Sequence, residues 1–417
     1  MLVYRYRLYP TRQQEKALND TTYICWKLYN TALAERKRVY EEELKTLTSY
    51  DQQRWLTQFK KSEPSEYWSQ ENLALLKAVN TQILKDVIAR VDISYKNFFR
   101  GLKKKQKVGF PKFQQRRVYQ SFTVPVADEV QGYKVIRTLG RFDRLYLSWL
   151  NIGHVHMRAD RPMDGRIKRI TIIHDCDEWY ACFTCNIDKT QDAPPLTGKS
   201  IGLDLGLEKL TTTSDGEFIA NARCLEGNLK KLARLQRQLA RKCLVCDECG
   251  EHTPITEAMR KQGAAKVYVC SKCGTNMKRR SNRYIDHRNR IARLHKDIRN
   301  QRRDLNRKIA HRLCSDYDTI VVEDLKIRNM TQNHKLARAI LDAGWGQLVL
   351  YIKQKAEQWG KTVEVVDPKD TSQLCSNCGE KVPKKLHVRV HKCPHCKTIL
   401  DRDHNAAINV LSRATSL

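Results

Sequence analysis

The stretch SIGLDLG at 200–206 decides how this 417-residue chain is read. Ile201, Leu203 and Leu205 alternate with Gly202 and Asp204, so the segment reads as a buried strand interrupted by a carboxylate. A carboxylate in that setting is expensive unless it is paired or binds a metal ion. Two further acids share the setting. Glu323 follows the apolar run Ile320, Val321, Val322 in DTIVVEDL at 318–325, and Asp403 stands before HNAA in DRDHNAAINVLSRA at 401–414. Each has an ordinary explanation, Glu323 as a strand-end surface charge and Asp403 as a helix cap. Jointly they suggest a cluster for one or two Mg²⁺ ions. Two such ions about 3.5–4 Å apart activate a water and stabilise the leaving oxygen of a phosphodiester. Asp324 points to the face opposite Glu323 if the strand continues.

A second signal is carried by cysteine. Cys375, Cys378, Cys393 and Cys396 form two C-x2-C knuckles separated by 14 residues, the pattern of a closed four-thiolate zinc site. Cys246, Cys249, Cys270 and Cys273 repeat the design with 20 residues between the knuckles. Cys243 makes a C-x2-C with Cys246 and offers an alternative register. Neither site leaves an open coordination position, so both zinc ions are structural. Cys182 and Cys185 lie within a strand without a partner pair and read as core thiols, and Cys25, Cys176, Cys224 and Cys314 as packing or surface residues.

Composition bounds the partners. Lys and Arg number 77 against 46 Asp and Glu, a net charge of +31. So strong a basic balance calls for a polyanion, and nucleic acid is the usual one. The length implies two to four domains, and 41% hydrophobic residues suffice for real cores. No apolar run approaches the roughly 18 residues of a membrane span. The opening MLVYRYRLYP lacks the apolar centre of a signal peptide. The expectation is a soluble intracellular protein with no membrane partner and reduced cysteines.

Along the chain, residues 2–9 alternate as a strand. Thr11 and Gln14 then make a capping-box pattern, and helical spacing runs in and out to Phe99, enough for three to five helices. A basic stretch follows, with Lys103, Lys104, Lys105 and Lys107. From 120 to 187 the period becomes two, giving six short strands, so a small antiparallel barrel interrupted by the helices is expected. DAPPLTGK at 192–199 reads as a linker. After a second strand comes a basic helical hairpin, with arms near 230–242 and 280–313. Residues 278–312 carry fourteen Lys or Arg against three Asp, a net of +11. Tyr284, Ile291, Ile298 and Leu305 form its packing stripe. LVLYIKQKAEQWG reads as a helix and KTVEVVD as a strand.

Taken in order, IGLDLG, IVVEDL, the ribbon at 375–396 and DRDHNAAINV resemble a split RuvC nuclease domain. DAGWGQ at 342–347, TSQLCSNCG at 371–379, RLYPTRQQ, SYKNFFR at 94–100 and VGFPKF at 108–113 extend the likeness over nearly the whole chain. The sequence is similar to the TnpB family of insertion-sequence proteins, relatives of type V CRISPR effectors. The resemblance implies an α/β multidomain fold. A wedge-type β-barrel would occupy 1–10 and 119–190, with a helical recognition region inserted at 11–118. A RuvC-like (RNase H-like) nuclease would occupy 196–371 and 399–417. Two four-cysteine zinc ribbons would stand at 243–278 and 372–398, the latter binding target nucleic acid.

By the same resemblance, Asp204, Glu323 and Asp403 are the catalytic acids and hold two Mg²⁺ ions, and the second acid of D-R-D, not Asp401, is the ligand. The activity implied is RNA-guided DNA cleavage. A noncoding guide RNA from the element end pairs with double-stranded target DNA beside a short target-adjacent motif. Thr81, Gln82, Lys85 and Thr123 would read that motif, while Lys103, Lys104 and Lys105 would grip phosphate. Thr81 and Lys85 also fit a solvated helix face. The expected state is a monomer in its RNA complex, in the nucleoid-associated cytoplasm of a prokaryote. The ribbon at 246–273 departs from the minimal family pattern. Two alternatives stay open: a compact type V CRISPR effector, and a nuclease-inactive RNA-guided DNA-binding regulator. A DNA-joining transposase would share the acids but not the D-R-D-x-N-A-A and ribbon combination.

Overall fold

A computed structural model describes residues 2–106, 108–125, 133–148, 150–186, 193–240, 282–385 and 387–415. Within 241–281 it describes 244–246, 248–249, 251–253, 268–270 and 272–277. Lys107 and Cys243 lie outside the described residues. The chain divides into two units, 1–188 and 189–417.

In the first unit, β1 (Leu2–Tyr9) leads into four helices: α1 (Arg12–Glu43), α2 (Ser49–Phe59), α3 (Gln70–Ala78) and α4 (Thr81–Lys103). The capping box forms as the sequence predicts. Thr11 accepts from the Gln14 N–H (3.4 Å), and the Gln14 side chain accepts from the Thr11 N–H (3.0 Å). Six strands follow: β2 (Ser121–Pro125), β3 (Tyr133–Ile136), β4 (Asp143–Leu147), β5 (His154–Arg158), β6 (Arg166–Asp175) and β7 (Glu178–Asn186). They join β1 in one antiparallel sheet of order β2-β6-β7-β1-β5-β4-β3. The helices are therefore an insertion between the first two strands, as expected. The barrel is not: among the described residues the pairing leaves β2 and β3 as two edges. Tyr6, Phe122, Phe183 and Trp179 form the centre of the sheet's core, with Leu28, Ile83 and Val87 of the helices in the same cluster. Cys25, Cys182 and Cys185 are buried thiols.

The second unit is built on a five-stranded sheet of order β10-β9-β8-β15-β16. Its strands are β8 (Ser200–Leu205), β9 (Lys209–Thr213), β10 (Phe218–Ala220), β15 (Thr319–Glu323) and β16 (Thr362–Val366). β8, β15 and β16 run parallel, while β9 and β10 run antiparallel beside β8. One face packs on α6 (Asn282–Asp316) and α9 (Trp345–Trp359) through Leu313, Trp345, Leu348 and Ile352. The other face packs on α10 (Arg402–Thr415) through Val410. α5 (Leu229–Ala240) and α6 form the basic hairpin. Leu232 and Leu235 bury against Leu294 and Ile298, and most of the hairpin's charges stay outside, Lys296 being buried. The second arm is longer than predicted by a few residues at its end.

Two short hairpins, β11 (Leu244–Val245) with β12 (His252–Thr253) and β13 (Tyr268–Val269) with β14 (Asn276–Met277), carry the first cysteine quartet. α7 (Ile327–Met330) and α8 (His334–Ala343) connect β15 to α9. β17 (Val390–Lys392) pairs with β18 (Ile399–Asp401) in the second ribbon. No helix among the described residues is long and apolar enough to cross a membrane.

Candidate active site and metal centres

The three acids are positioned by strand register and by one glycine. β8 and β15 pair in parallel, with Gly202 beside Val321 and Leu203 beside Val322. Asp204 and Glu323 are the next residues, at the same end of neighbouring strands. Gly202 lies beneath α10, where an added Cβ would stand 2.3 Å from the Ala407 carbonyl oxygen and 2.7 Å from the Leu411 nitrogen. Val321 packs on Val410 of the same helix. Two residues further along each strand, Asp204 and Glu323 face the same side. Asp403 stands in the first turn of α10, one turn before Ala407. The fold thus brings together residues that are 119 and 80 positions apart in sequence.

The electrostatics are those of a crowded anionic site. Burial pushes the Asp204 carboxyl well above its usual range, and Glu323 and then Asp403 push it further. Burial also raises Glu323, which is only 8% exposed, while a hydrogen bond from Thr371 (2.7 Å) opposes the shift. Glu323 is therefore not a strand-end surface charge. Asp324 is, exposed and paired with Lys326. Nor is Asp403 the helix cap. Asp401 does that work, accepting from the Asp403 and His404 N–H groups (2.9 and 3.2 Å) and pairing with Lys209 (3.0 Å). Burial pushes Asp401 upward, but these bonds outweigh it and hold the carboxyl below its usual range. Arg389 approaches Asp403 at 3.7 Å and Glu208 at 3.1 Å. A separate cleft of about 450 Å³ has Glu208, Asn221, Arg338 and Arg389 in its walls and meets the acids only through Arg389.

Oxygen donors with mutually repelling charge suit a hard divalent cation. The three carboxylates are not as tightly gathered as the cysteines. Among the described residues, the quartets are the groups whose ligand atoms all lie within 4.8 Å of one another. Sγ distances are 3.3 Å (Cys246–Cys273), 3.6 Å (Cys249–Cys270), 3.5 Å (Cys375–Cys396) and 3.6 Å (Cys378–Cys393). A tetrahedron of thiolates about 2.3 Å from zinc has S–S edges of about 3.8 Å, whereas a disulfide needs about 2 Å. Both quartets therefore fit zinc in the predicted register, Cys246 with Cys249. They are built alike. Cys273 and Cys396 are each followed two residues later by a threonine whose hydroxyl lies at 2.9 and 3.1 Å. Thr275 and Thr398 hold those thiols down, at about 6 and about 5.

The remaining singled-out residues lie in the first unit. Thr81 and Gln82 are exposed at the start of α4, Lys85 is half-buried nearby, and Lys60 donates to the Thr81 hydroxyl (3.1 Å). Lys103, Lys104 and Lys105 are exposed at the end of α4. Thr123 corrects the sequence reading: it is 5% exposed and its hydroxyl accepts from Arg90 (2.6 Å) and lies 3.3 Å from Thr171. Packing of α4 over β2 buries a position that alternation alone would leave open to base edges.

Other motif residues prove to be joints. Trp345 of DAGWGQ donates to the Gly206 carbonyl (3.0 Å), clasping the turn that follows Asp204. Asp342 accepts from the Leu225 N–H (3.0 Å). Sequence reasoning missed three residues beside the acids: Thr371, Asn405 and Asn409. For Asn405 and Asn409 the signal is present in NAAIN, two amides four residues apart on an otherwise apolar helix face, whereas Thr371 sits in a polar loop that carries no such pattern.

Comparison with known proteins agrees with this architecture. Family profiles match at residues 345–410 (Cas12f1-like, TNB domain), 261–334 (probable transposase) and 1–45 (helix-turn-helix domain). The last of these regions here holds one strand and one long helix. A Streptomyces pristinaespiralis protein named for RNA-guided DNA endonuclease activity is 28% identical, over 98% of this chain and 88% of its own. InsQ of Escherichia coli K12, named likewise, is 27% identical over 98% and 91%. The Cas12f1 chain of an sgRNA–target DNA complex shares the fold at a TM-score of 0.55 and 13% identity, covering 95% of this chain and 82% of its own. The likeness read from the motifs thus extends to relatives matched over nearly the whole chain, and shorter matches at 25–33% identity are to proteins named as TnpB-like, so the chain is similar to the TnpB family.

Proposed function

We propose that this chain is an RNA-guided DNA endonuclease that hydrolyses phosphodiesters at Asp204, Glu323 and Asp403. The observation carrying the reading is the convergence of Asp204 and Glu323 on one end of the parallel strands, on the face beneath α10, whose first turn carries Asp403. Burial pushes the Asp204 carboxyl up and the two neighbouring acids push it further, an anionic crowding that a divalent cation would relieve. Mg²⁺ bound there supplies a Lewis acid for the scissile phosphate and its attacking water. Asp204, Glu323 and Asp403 would hold the ions. Asp401 and Lys209 keep the start of α10 fixed, so Asp403 keeps its place. Arg389, beside Asp403, would attract a phosphate toward the acids.

The partners are RNA and DNA. The noncoding guide from the element end supplies sequence specificity by pairing, and the protein reads a target-adjacent motif. Thr81, Gln82 and Lys85 are the candidates for that reading, and the basic α5–α6 hairpin and Lys103, Lys104 and Lys105 for phosphate contact. Both cysteine quartets hold structural zinc. The decisive experiment co-purifies the chain with RNA expressed from the flanking element end and sequences that RNA. Cleavage of matching DNA with Mg²⁺ is then compared with Asp204→Asn. Cleavage is expected of the first and not of the second. Absence of bound RNA, or equal cleavage by the variant, refutes the reading.

A further inference from the structure

The segment joining β16 to the second zinc cage, residues 367–376, lies along one face of α10. Asn405 is fully buried. Its amide donates to the Leu374 carbonyl (2.7 Å), and its oxygen accepts from the Ser376 N–H (3.0 Å). One turn on, Asn409 donates to the Thr371 and Leu374 carbonyls (2.8 Å each). A further turn on, Arg413 donates to the Asp367 and Lys369 carbonyls. Three consecutive turns of the helix that carries Asp403 therefore hold this strap. Cys375, the first zinc ligand of the cage, sits inside the clamped stretch.

The strap delivers one side chain to the acids. Thr371 is 4% exposed, and its hydroxyl lies 2.7 Å from Glu323 Oε1 and 3.1 Å from the Pro368 carbonyl. A hydroxyl has one proton, and the shorter approach and the charge direct it to Glu323. This is the one side-chain hydrogen bond found on Glu323 among the described residues, and it fixes the orientation of the carboxylate. A strap without catalytic relevance would need its backbone held, but not a hydroxyl aimed at a buried acid.

We infer that Thr371 is a positioning residue. It orients Glu323 for its cation, and the asparagine clamp makes that orientation depend on the strap leading into the zinc cage. The inference rests on the proposed role of Glu323 in cation binding. Partners that orient metal-binding side chains typically contribute about 10–100-fold in metal affinity or activity.

The test uses the full chain in its RNA complex and reads cation binding directly, with Mn²⁺ followed by EPR. Asp204→Asn defines the background from RNA and surface sites. Thr371→Val keeps the shape and removes the hydroxyl. Its Mn²⁺ affinity at the Asp204-dependent site should fall about tenfold or more. Cleavage should need correspondingly more Mg²⁺, with zinc content and target binding unchanged. Thr371→Ser should restore both. Should Thr371→Val not bind target, Thr371→Ser against Thr371→Ala carries the test, since both lack the methyl and differ in the hydroxyl. Equal Mn²⁺ affinity in hydroxyl-bearing and hydroxyl-free variants overturns the inference while leaving the nuclease reading intact. A wild-type complex with no Asp204-dependent Mn²⁺ site and no cleavage overturns the nuclease reading itself.

Discussion

Gly202→Ala is the most economical test of how the catalytic face is built. The new methyl would lie 2.3 Å from the Ala407 oxygen and 2.7 Å from the Leu411 nitrogen, both backbone atoms that cannot rotate away. Reaching even 3.0 Å from the oxygen requires α10 to move by at least 0.7 Å. Overpacking of this kind costs about 1–3 kcal/mol, which for a unit of this size lowers Tm by roughly 2–12 °C. The functional loss should be larger than the thermal one. Asp403 rides on α10, and a displacement near 1 Å of a reacting group can cost about 100-fold in rate. The variant should therefore bind guide RNA and target almost normally and cleave about a hundredfold more slowly at a temperature where it is folded. Thermal unfolding by circular dichroism and single-turnover cleavage on the same preparation measure both. Wild-type Tm together with wild-type cleavage would refute the argument that α10 must touch β8 at Gly202 to set the acids.

Further outcomes follow from the same geometry. Because the Asp204 carboxyl titrates above its ordinary range, the folded chain without Mg²⁺ holds a proton that the unfolded chain has already released. Stability therefore falls as pH rises from the ordinary aspartate value of about 3.9 through the raised one, and Asp204→Asn removes that contribution. Urea unfolding across pH in chelator checks it, and parallel profiles for the two proteins would contradict it. Cys393→Ser should reduce bound zinc from two ions to one per chain on chelator release, and retention of both would deny the cage assignment. Replacing Lys103, Lys104 and Lys105 by alanine should flatten the salt dependence of duplex binding, by about 2.7 in log–log slope if all three hold phosphate. An unchanged slope would remove them from the interface.

Much of this architecture can be read without coordinates because it depends on local pattern. The alternation around Asp204 and before Glu323 marks strands, and the knuckle spacing marks both cages. Thr11 and Gln14 mark the start of α1. Contacts made across long separations are less legible. Burial of Thr123 depends on Arg90 reaching over from α4, and alternation within β2 carries no trace of that helix. Closure of the first sheet depends on which strands become edges, a property of pairing and not of period. Thr371 looks like any loop threonine until Asn409, 38 residues away, fixes the backbone beneath it. The capping role falls to Asp401 and not to Asp403 because the helix begins at Arg402, which puts Asp401 at its N-cap, and spacing alone does not locate that start.

The parallel pairing of β8 with β15 has a consequence for how such a protein can change. Its three acids come from separate segments that meet only at their ends, so the chain between them is bound by where it departs and returns, not by how long it is. The α5–α6 hairpin uses that freedom: it leaves after β10, carries a cysteine quartet fit for zinc between its arms and comes back to β15. Modules can be added, exchanged or shortened between those arms while the cutting centre stays in register. The hairpin is thus the natural place for lineages of this fold to diversify, and for a designer to graft or trim.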